Sequence, residues 1–490
     1  MIEAFLKTLP RAIAGGIFFL TALPALAQQP VRIWDIPFGT PTSALPADEF
    51  VDPACGSNGG PAGVPLASFT EYAKCAPEPS GLREVWFIYD DTQEYVALAL
   101  RNPVLLGRYR ATAIAQQPVV LSLLIDEQAR VAGYRIFTDP RAEEAQRYEA
   151  HTVAANLRGR FGTAWTCTDL DAALGETPIA GTFVKQSCLH EEAGLRARVE
   201  SRFYYRPGQQ MIDPNTGQPM VNAFESRAWI EVLAVGPLPE VPRPPSAGRA
   251  VVTRDLLLRR GEVPFLNGET KNCPGCDLQD ADLRRRDLSG ANLEGANLEG
   301  AILHRANLRN ANLYGANLSG ANLNRADLTL ANLSASNLRE AMLWQADASR
   351  ANFEDADVSY ALLGKIRATL ANFRSADVTR TDLGEARLND ADFTLATLDD
   401  CFLYQAVLIR ANLTRAFVQR AVMGEASLHD ATLTGASLRE SDLLGADLSG
   451  ANLTNADFSG TRLLNANLTG AVQTGMKVTG ALLPDNTTGK

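Results

Sequence analysis

The feature that most constrains this chain is an unbroken five-residue phase. From Cys276 the sequence reads CDLQD ADLRR RDLSG ANLEG ANLEG AILHR ANLRN, and it keeps that phase without an insertion to ANLTG at 466–470, about 39 repeats. A large apolar residue holds the third slot, the centre, at 278, 283, 288 and onward, and only Ala348 and Ala368 break that rule. The slot two before the centre is nearly always Ala, with Ser, Cys or Thr as the usual exceptions. A period of five cannot mark one face of an α-helix, because five steps of about 100° leave each repeat rotated by some 140° from the last. In extended chain the centre and the slot two before it share a side, but an odd period turns the next repeat outward unless a bend resets it. Each repeat therefore needs a corner. The fifth slot, often Gly, Asn or Arg, is the natural place, since Gly and Asn tolerate the backbone angles of turns.

Short-period self-similarity of this kind marks a solenoid, whose stacked coils bury one continuous core and satisfy one another's backbone hydrogen bonds. The A(N/D)LxG text resembles the pentapeptide-repeat family over roughly 200 of 490 residues. The resemblance implies a right-handed, four-sided β-helix with four pentapeptides per coil, so the fold class expected is mainly β, a β-helix preceded by a smaller α+β domain. It implies little about purpose, because members mostly have no assigned reaction. Some cytoplasmic members are thought to imitate DNA and inhibit topoisomerases, which requires a strongly acidic face. From Lys271 onward this chain has 21 basic and 26 acidic residues, a net charge of only -5.

A solenoid exposes core at both ends and needs caps. The segment 253–261, TRDLLLRRG, has a capping residue, an apolar centre and a closing glycine, and is assigned as a helical plug within a cap at 251–270. The repeat body spans 271–483; Gln473 breaks the core slot, Val478 and Leu483 half-restore it, and Pro484 opens a tail at 484–490. Cys273 and Cys276 take a centre and a small slot, so both thiols should face inward as a structural pair. A zinc site needs about four ligands, and Cys401 lies some six coils further on as an inert buried thiol.

Ahead of the repeats, Lys7 and Arg11, an apolar run over 12–23 and Ala25-Leu26-Ala27 form the layout of a secretory signal peptide at 1–27. Export is therefore expected, to the periplasm or beyond the cell, and no later segment is apolar enough to span a bilayer. An oxidising compartment permits disulfides. Cys55 with Cys75 and Cys167 with Cys188 are the preferred pairings among three possible connectivities. Residues 28–236 read as a disulfide-containing α+β domain: strands at 82–89, 119–125, 131–137, 182–188, 195–205 and 224–233, and an amphipathic helix over 140–160. Pro237, Pro239, Pro242, Pro244 and Pro245 then make a semi-rigid linker at 237–250.

No GxSxG, HExxH, P-loop or GxGxxG-plus-helix occurs in this domain. The stretch 213–217 begins like a calcium loop, but its twelfth position is Phe224, so a hairpin turn is expected. His190-Glu191-Glu192 reads as a polar turn, and Asp90, Asp91 and Glu94 as caps of a helix beginning near Thr92. No catalytic residue, cofactor or metal is assigned. The leading function is an exported, non-enzymatic binding or scaffold protein whose partner is a protein or anionic polymer of the cell envelope. No nucleic acid is expected, since neither half carries a basic footprint. The alternative makes the N-terminal domain a hydrolase or small-molecule carrier, with the solenoid as spacer.

One outward series recurs every 20 residues: Arg285, Arg305, Arg325, Gln345, Lys365, beside Arg284, His304, Asn324, Trp344 and, further on, Tyr404. On a four-sided coil these share one edge. Arg284, Arg285, His304, Arg305, Arg325, Trp344 and Lys365 are thus the candidate anion- or partner-binding stripe, open to an external polymer or to the acidic N-terminal domain. The plainer reading is a solvated face.

Overall fold

The computed structural model describes residues 31–56, 63–109, 112–114, 117–140, 142, 148–162, 164–192, 194–205, 211–212, 219–220, 224–239 and 262–490. The leader at 1–27, the plug at 253–261, most of the linker and the turn at 213–217 lie outside them. Two compact units divide the chain: Met1–Asp90 with Ala111–Gly248, and Asp91–Arg110 with Arg249–Lys490. The insert Asp91–Arg110, read above as part of the N-terminal domain, thus groups with the repeats.

The first unit is built on an antiparallel sheet. In chain order its strands are β1 (Phe50–Cys55), β2 (Arg83–Tyr89), β3 (Ala113–Ile114), β4 (Gln117–Ile125), β5 (Val131–Thr138), β6 (Thr166–Asp169), β7 (Val184–Glu192), β8 (Leu195–Tyr205) and β11 (Phe224–Ala234), while β9 (Met211–Ile212) and β10 (Pro219–Met220) pair apart. The spatial order is β1-β2-β4-β5-β11-β8-β7-β6, with β3 on β4. Alternation sets the buried face: Val85 and Phe87, Leu121 and Leu123, Ile136, Val199, Ile230 and Val232 are all inside. Part of the expected helix over 140–160 lies outside the described residues. Within the described residues a 3-10 turn, Ala150–Thr152, leads into α1 (Val153–Gly159), which buries Val153, Ala154 and Leu157. Cys55 bonds Cys75 and Cys167 bonds Cys188.

In the repeats, parallel bridges join the second-slot residue of each repeat to the one 20 further on, from Asn272–Asn292 to Arg462–Leu482. One coil is therefore 20 residues and four pentapeptides, and four ladders run along the stack. Leu313 N–H donates to Asn332 O at 2.7 Å and Asn332 N–H to Ala311 O at 2.9 Å, so each coil is stitched to the next. The corner falls on the fifth slot, where φ is positive throughout, as at Arg285 (58°) and Leu370 (60°). Leu293, Leu313 and Leu333 are fully buried. Thr394, Thr414, Thr434, Thr454 and Thr474 ride on one ladder, through Asp392–Asn412, Asn412–Thr432, Thr432–Asn452 and Asn452–Val472.

Both ends of this core are covered. At the start, α2 (Glu262–Leu266) inserts Phe265, which is 1% exposed, and Cys273 and Cys276 are joined inside. At the end, Met476, Val478 and Leu483 pack on the core and the tail folds back, with Leu483 N–H donating to Thr487 O at 2.8 Å. Cys401 is buried, and burial pushes its thiol pKa far up. One layer carries two small residues in its core slots. Ala346 and Ala348 are both small and fully buried, whereas Ile366 offsets Ala368 in the next coil. Ala348→Leu should therefore raise the melting temperature; a clear drop would show that the space is already filled.

Candidate functional site

Two further helices belong to the repeat unit: α3 (Thr92–Ala99) and α4 (Pro103–Tyr109). They pack on each other. Helix α3 begins where expected, but Asp91 does not cap it: the residue stands at the N-cap position without a side-chain cap hydrogen bond. Its carboxylate turns instead to the repeat ladder.

There it meets four residues of the stripe. Arg285 Nη2 lies 3.1 Å from Asp91 Oδ1, and His304 Nε2 lies 2.9 Å from the same oxygen. Arg305 Nε donates to both oxygens at 3.0 and 3.1 Å, and its Nη2 closes a second bond to Oδ2. Arg325 Nη1 is 3.8 Å from Oδ2 and donates to Tyr95 Oη at 2.9 Å. Tyr95 also stacks near His304, with ring centroids 5.4 Å apart, and carries the Arg325 guanidinium 4.9 Å from its own ring centre. The other stripe residues go elsewhere: Arg284 pairs with Asp282 at 2.6 Å, and Lys365 pairs with Glu385 at 3.2 Å while lying 5.8 Å from the Trp344 ring.

Repeat geometry explains the convergence. Arg285, Arg305 and Arg325 are fifth-slot corners one coil apart, roughly 4.8 Å each, so three like charges stack. A buried carboxylate between them converts that repulsion into pairing. Asp91's side chain is 9% exposed. Burial alone raises its pKa, but hydrogen bonds from His304 and Arg305 outweigh that and hold it well below the usual carboxylate range. For His304, fully buried, desolvation is the largest influence and lowers its pKa despite the pull of Asp91.

The sign of the pH effect follows. A histidine whose folded pKa lies below its unfolded value of about 6.5 leaves the unfolded chain binding more protons in between, so stability is complete above that pH and declines as pH falls. Asp91 acts in the same direction, but only below its unfolded value of about 3.9. Melting temperature measured from pH 8 to 5 should decline from near 6.5 downward, and His304→Gln should flatten that decline. An unchanged slope in the variant would remove His304 from the account.

A second grip lies further along the same ladder. Arg101, just past α3, pairs with Asp382 at 2.9 Å and stacks 4.7 Å from the Phe402 ring centre. Burial raises the Asp382 pKa, with Arg101 pulling it back down. Two glycines make room for aromatic neighbours: a Cβ on Gly384 would come within 2.9 Å of the Phe402 ring and 2.6 Å of Arg101, and one on Gly364 would strike Trp344. Arg101, Tyr95, Asp382 and Phe402 were not singled out from sequence. Gly364 and Gly384 in the fourth slot of one ladder, between Trp344 and Tyr404, with Gly424 one coil beyond, were the available signal.

The remaining candidates of the first unit are structural. His190 lies in β7 and not in a turn: strand pairing carries His190 opposite Ala197, and the ring is buried with Nδ1 2.8 Å from Ala164 O. His151 stacks on Phe203 at 4.1 Å. Arg135 is ringed by Glu78, Glu84 and Glu231 at 2.5, 3.5 and 2.6 Å, a buried ion cluster across the sheet. A hollow of about 620 Å³ is lined by Trp34, Ile36, Pro37, Phe38, Tyr134, Arg160, Phe161 and Leu195. Among the described residues no group of three or more His, Cys, Asp or Glu is placed to hold a metal ion, and no helix is long and apolar enough to cross a membrane.

The family model for pentapeptide repeats matches residues 276–483 in overlapping copies. Among solved structures the chain is similar to HetL, a pentapeptide repeat protein involved in heterocyst differentiation regulation from the cyanobacterium Nostoc sp. strain PCC 7120. That match has 31% identity, covers 46% of this chain and 97% of HetL, and has a TM-score of 0.23. It is also similar to a pentapeptide repeat protein of the Arabidopsis thaliana thylakoid lumen, at 29% identity over 23% of this chain and 71% of that one, TM-score 0.16. QnrB1, a plasmid-mediated fluoroquinolone resistance protein, matches at 18% identity over 37% and 90% of the two chains, TM-score 0.23. No curated protein matches the chain.

Proposed function

The chain belongs to the pentapeptide-repeat family, and we propose that it is an exported, non-enzymatic scaffold whose repeat faces bind a protein or anionic polymer of the cell envelope. We read the repeats as a right-handed, four-sided β-helix, as the family implies; the 20-residue bridge spacing supports four sides. The observation that carries the binding role is the clasp itself. One face of the stack already holds a helical segment, through an arginine ladder around Asp91 and through Arg101 on Asp382 and Phe402. A surface that recognises a segment of its own chain by stacked side chains has the chemistry to recognise another.

Three disulfides support export, since such bonds persist in oxidising compartments. Cell fractionation of the full chain, with the mature N-terminus read by mass spectrometry and cross-linking in the envelope fraction, tests the reading. Retention in the cytoplasm with an intact leader would sink it. The hollow beside Trp34 favours a second reading, in which the first unit carries a small molecule. Its size falls in the range of ligand sites, and its walls are aromatic with one cation, Arg160, 4.0 Å from the Trp34 ring centre. Such walls suit carriage better than hydrolysis, which needs a placed nucleophile or acid–base pair.

A further inference from the structure

The three disulfides differ in what can reach them. Cys55, Cys75, Cys273 and Cys276 are all buried. The third bond is half outside, because Cys188 belongs to the core of the sheet while Cys167 is exposed. Cys167 lies in β6, the last strand of the sheet, which pairs with β7 alone over four residues that are all exposed. One cysteine therefore faces an attacker and the other faces the core. Access of this kind is a first requirement of thiol–disulfide exchange.

A cation stands at the same bond. Arg158, in α1, places Nη1 2.9 Å from Cys188 Sγ and 3.5 Å from Cys167 Sγ. That nitrogen also donates to Gln186 Oε1 at 2.5 Å, and Gln186 Nε2 donates to Asp169 Oδ1 at 2.8 Å, so side chains of β7 and β6 hold the guanidinium in place. Trp165 Nε1 donates to Arg158 O at 3.1 Å and steadies its backbone. Exchange is fastest when the departing sulfur is a stable thiolate. A thiolate left at Cys188 is costly in apolar surroundings, and an arginine beside it offsets that cost.

We propose that Cys167–Cys188 is a thiol-exchange site whose co-substrate is an external dithiol. A thiolate of the dithiol attacks Cys167 Sγ: a new S–S bond forms there, the Cys167–Cys188 bond breaks, and its electron pair leaves on Cys188 Sγ beside Arg158. The second thiol of the dithiol then attacks the dithiol's own sulfur in the mixed disulfide and releases Cys167. The dithiol ends as a disulfide, Cys167 and Cys188 end as thiols, and the two protons pass from one pair to the other. This inference goes beyond the scaffold reading and uses neither the repeats nor their partner, so either can fail alone.

The probes are dithiothreitol and glutathione, added to the purified full chain, with free thiols alkylated at timed intervals and mapped by mass spectrometry. Under limiting dithiothreitol, Cys167 and Cys188 should be alkylated about tenfold faster than the other four bonded cysteines, or more. Glutathione should leave its adduct on Cys167 and a free thiol at Cys188. Arg158→Gln should slow the exchange about tenfold, the effect of one charge-assisted hydrogen bond on the departing sulfur. An arginine that only shields the bond would make the variant faster. Equal reduction of the three bonds, an adduct on Cys188, or an Arg158→Gln variant that is not slowed would each overturn the proposal. Should Arg158→Gln fail to fold, the order of reduction and the adduct position in the wild-type chain decide.

Discussion

Replacing Asp91 with alanine should release α3 from the repeat face, at a cost of about 3–5 kcal/mol to that contact, because the variant removes the buried carboxylate on which the ion cluster converges. Three guanidinium groups and His304 meet at this one carboxylate, and its side chain is only 9% exposed. Water cannot fully replace it. The repeat core does not depend on Asp91, since each coil is held by its neighbours' backbone bonds and by buried Leu and Ala. The loss should therefore be local. Hydrogen exchange reads it directly: amides of 92–99 should exchange about two to three orders of magnitude faster, since each 1.4 kcal/mol is a factor of ten. Amides of the coils from 408 onward should keep their protection. Converting Arg285, Arg305 and Arg325 together to glutamine should loosen the same segment at least as much, because it strands the more deeply buried carboxylate. Unchanged exchange in Asp91→Ala would show that the helix is held by something other than the ion cluster.

How far this site was legible follows from where its parts lie in the chain. The ladder could be read from sequence because repeat phase converts spacing into geometry: residues 20 apart share an edge, and Arg285, Arg305 and Arg325 do. The positive φ of the fifth slot was equally legible, since an odd period demands a corner. Asp91 was not. It stands next to Thr92 at a helix start, where a carboxylate is ordinarily a cap, and its true partners lie 194 to 214 residues away. No local pattern carries that distance. His190 was misread for a related reason: His-Glu-Glu looks like a turn, yet the outward glutamates belong to the solvated end of β7 and only the histidine turns inward. The strand 195–205 was recovered whole because alternating Ala197, Val199 and Phe203 mark one buried face. Phe265 escaped notice because the sequence reading ended its plug at Gly261. A proline in the first turn is compatible with the short α2 that follows.

The repeat core makes a second strong prediction at its centre. Phe353, Phe373 and Phe393 occupy one centre column, fully buried, with ring centroids 4.6 and 4.8 Å apart and planes within 5° of parallel. The rings thus stack at the rise of the coils themselves. Phe373 is the middle ring, and the centre beside it in the same coil is Ala368, already small. Phe373→Ala would open a hole in a fully buried layer between two stacked rings, and a core that cannot collapse loses most, so about 3–5 kcal/mol is expected. Stability in a stack is a sum over neighbouring coils, which confines the damage to the layers around 363–383. Those layers also carry Asp382, which grips Arg101. Faster exchange should appear across these coils and in α3 and α4 together, while coils near 293–313 stay protected. Phe393→Ala, at the end of the stack with one ring neighbour instead of two and with Leu388 as the preceding centre, should cost less. An equal loss in both variants would mean that the stacked rings add nothing beyond the volume they fill.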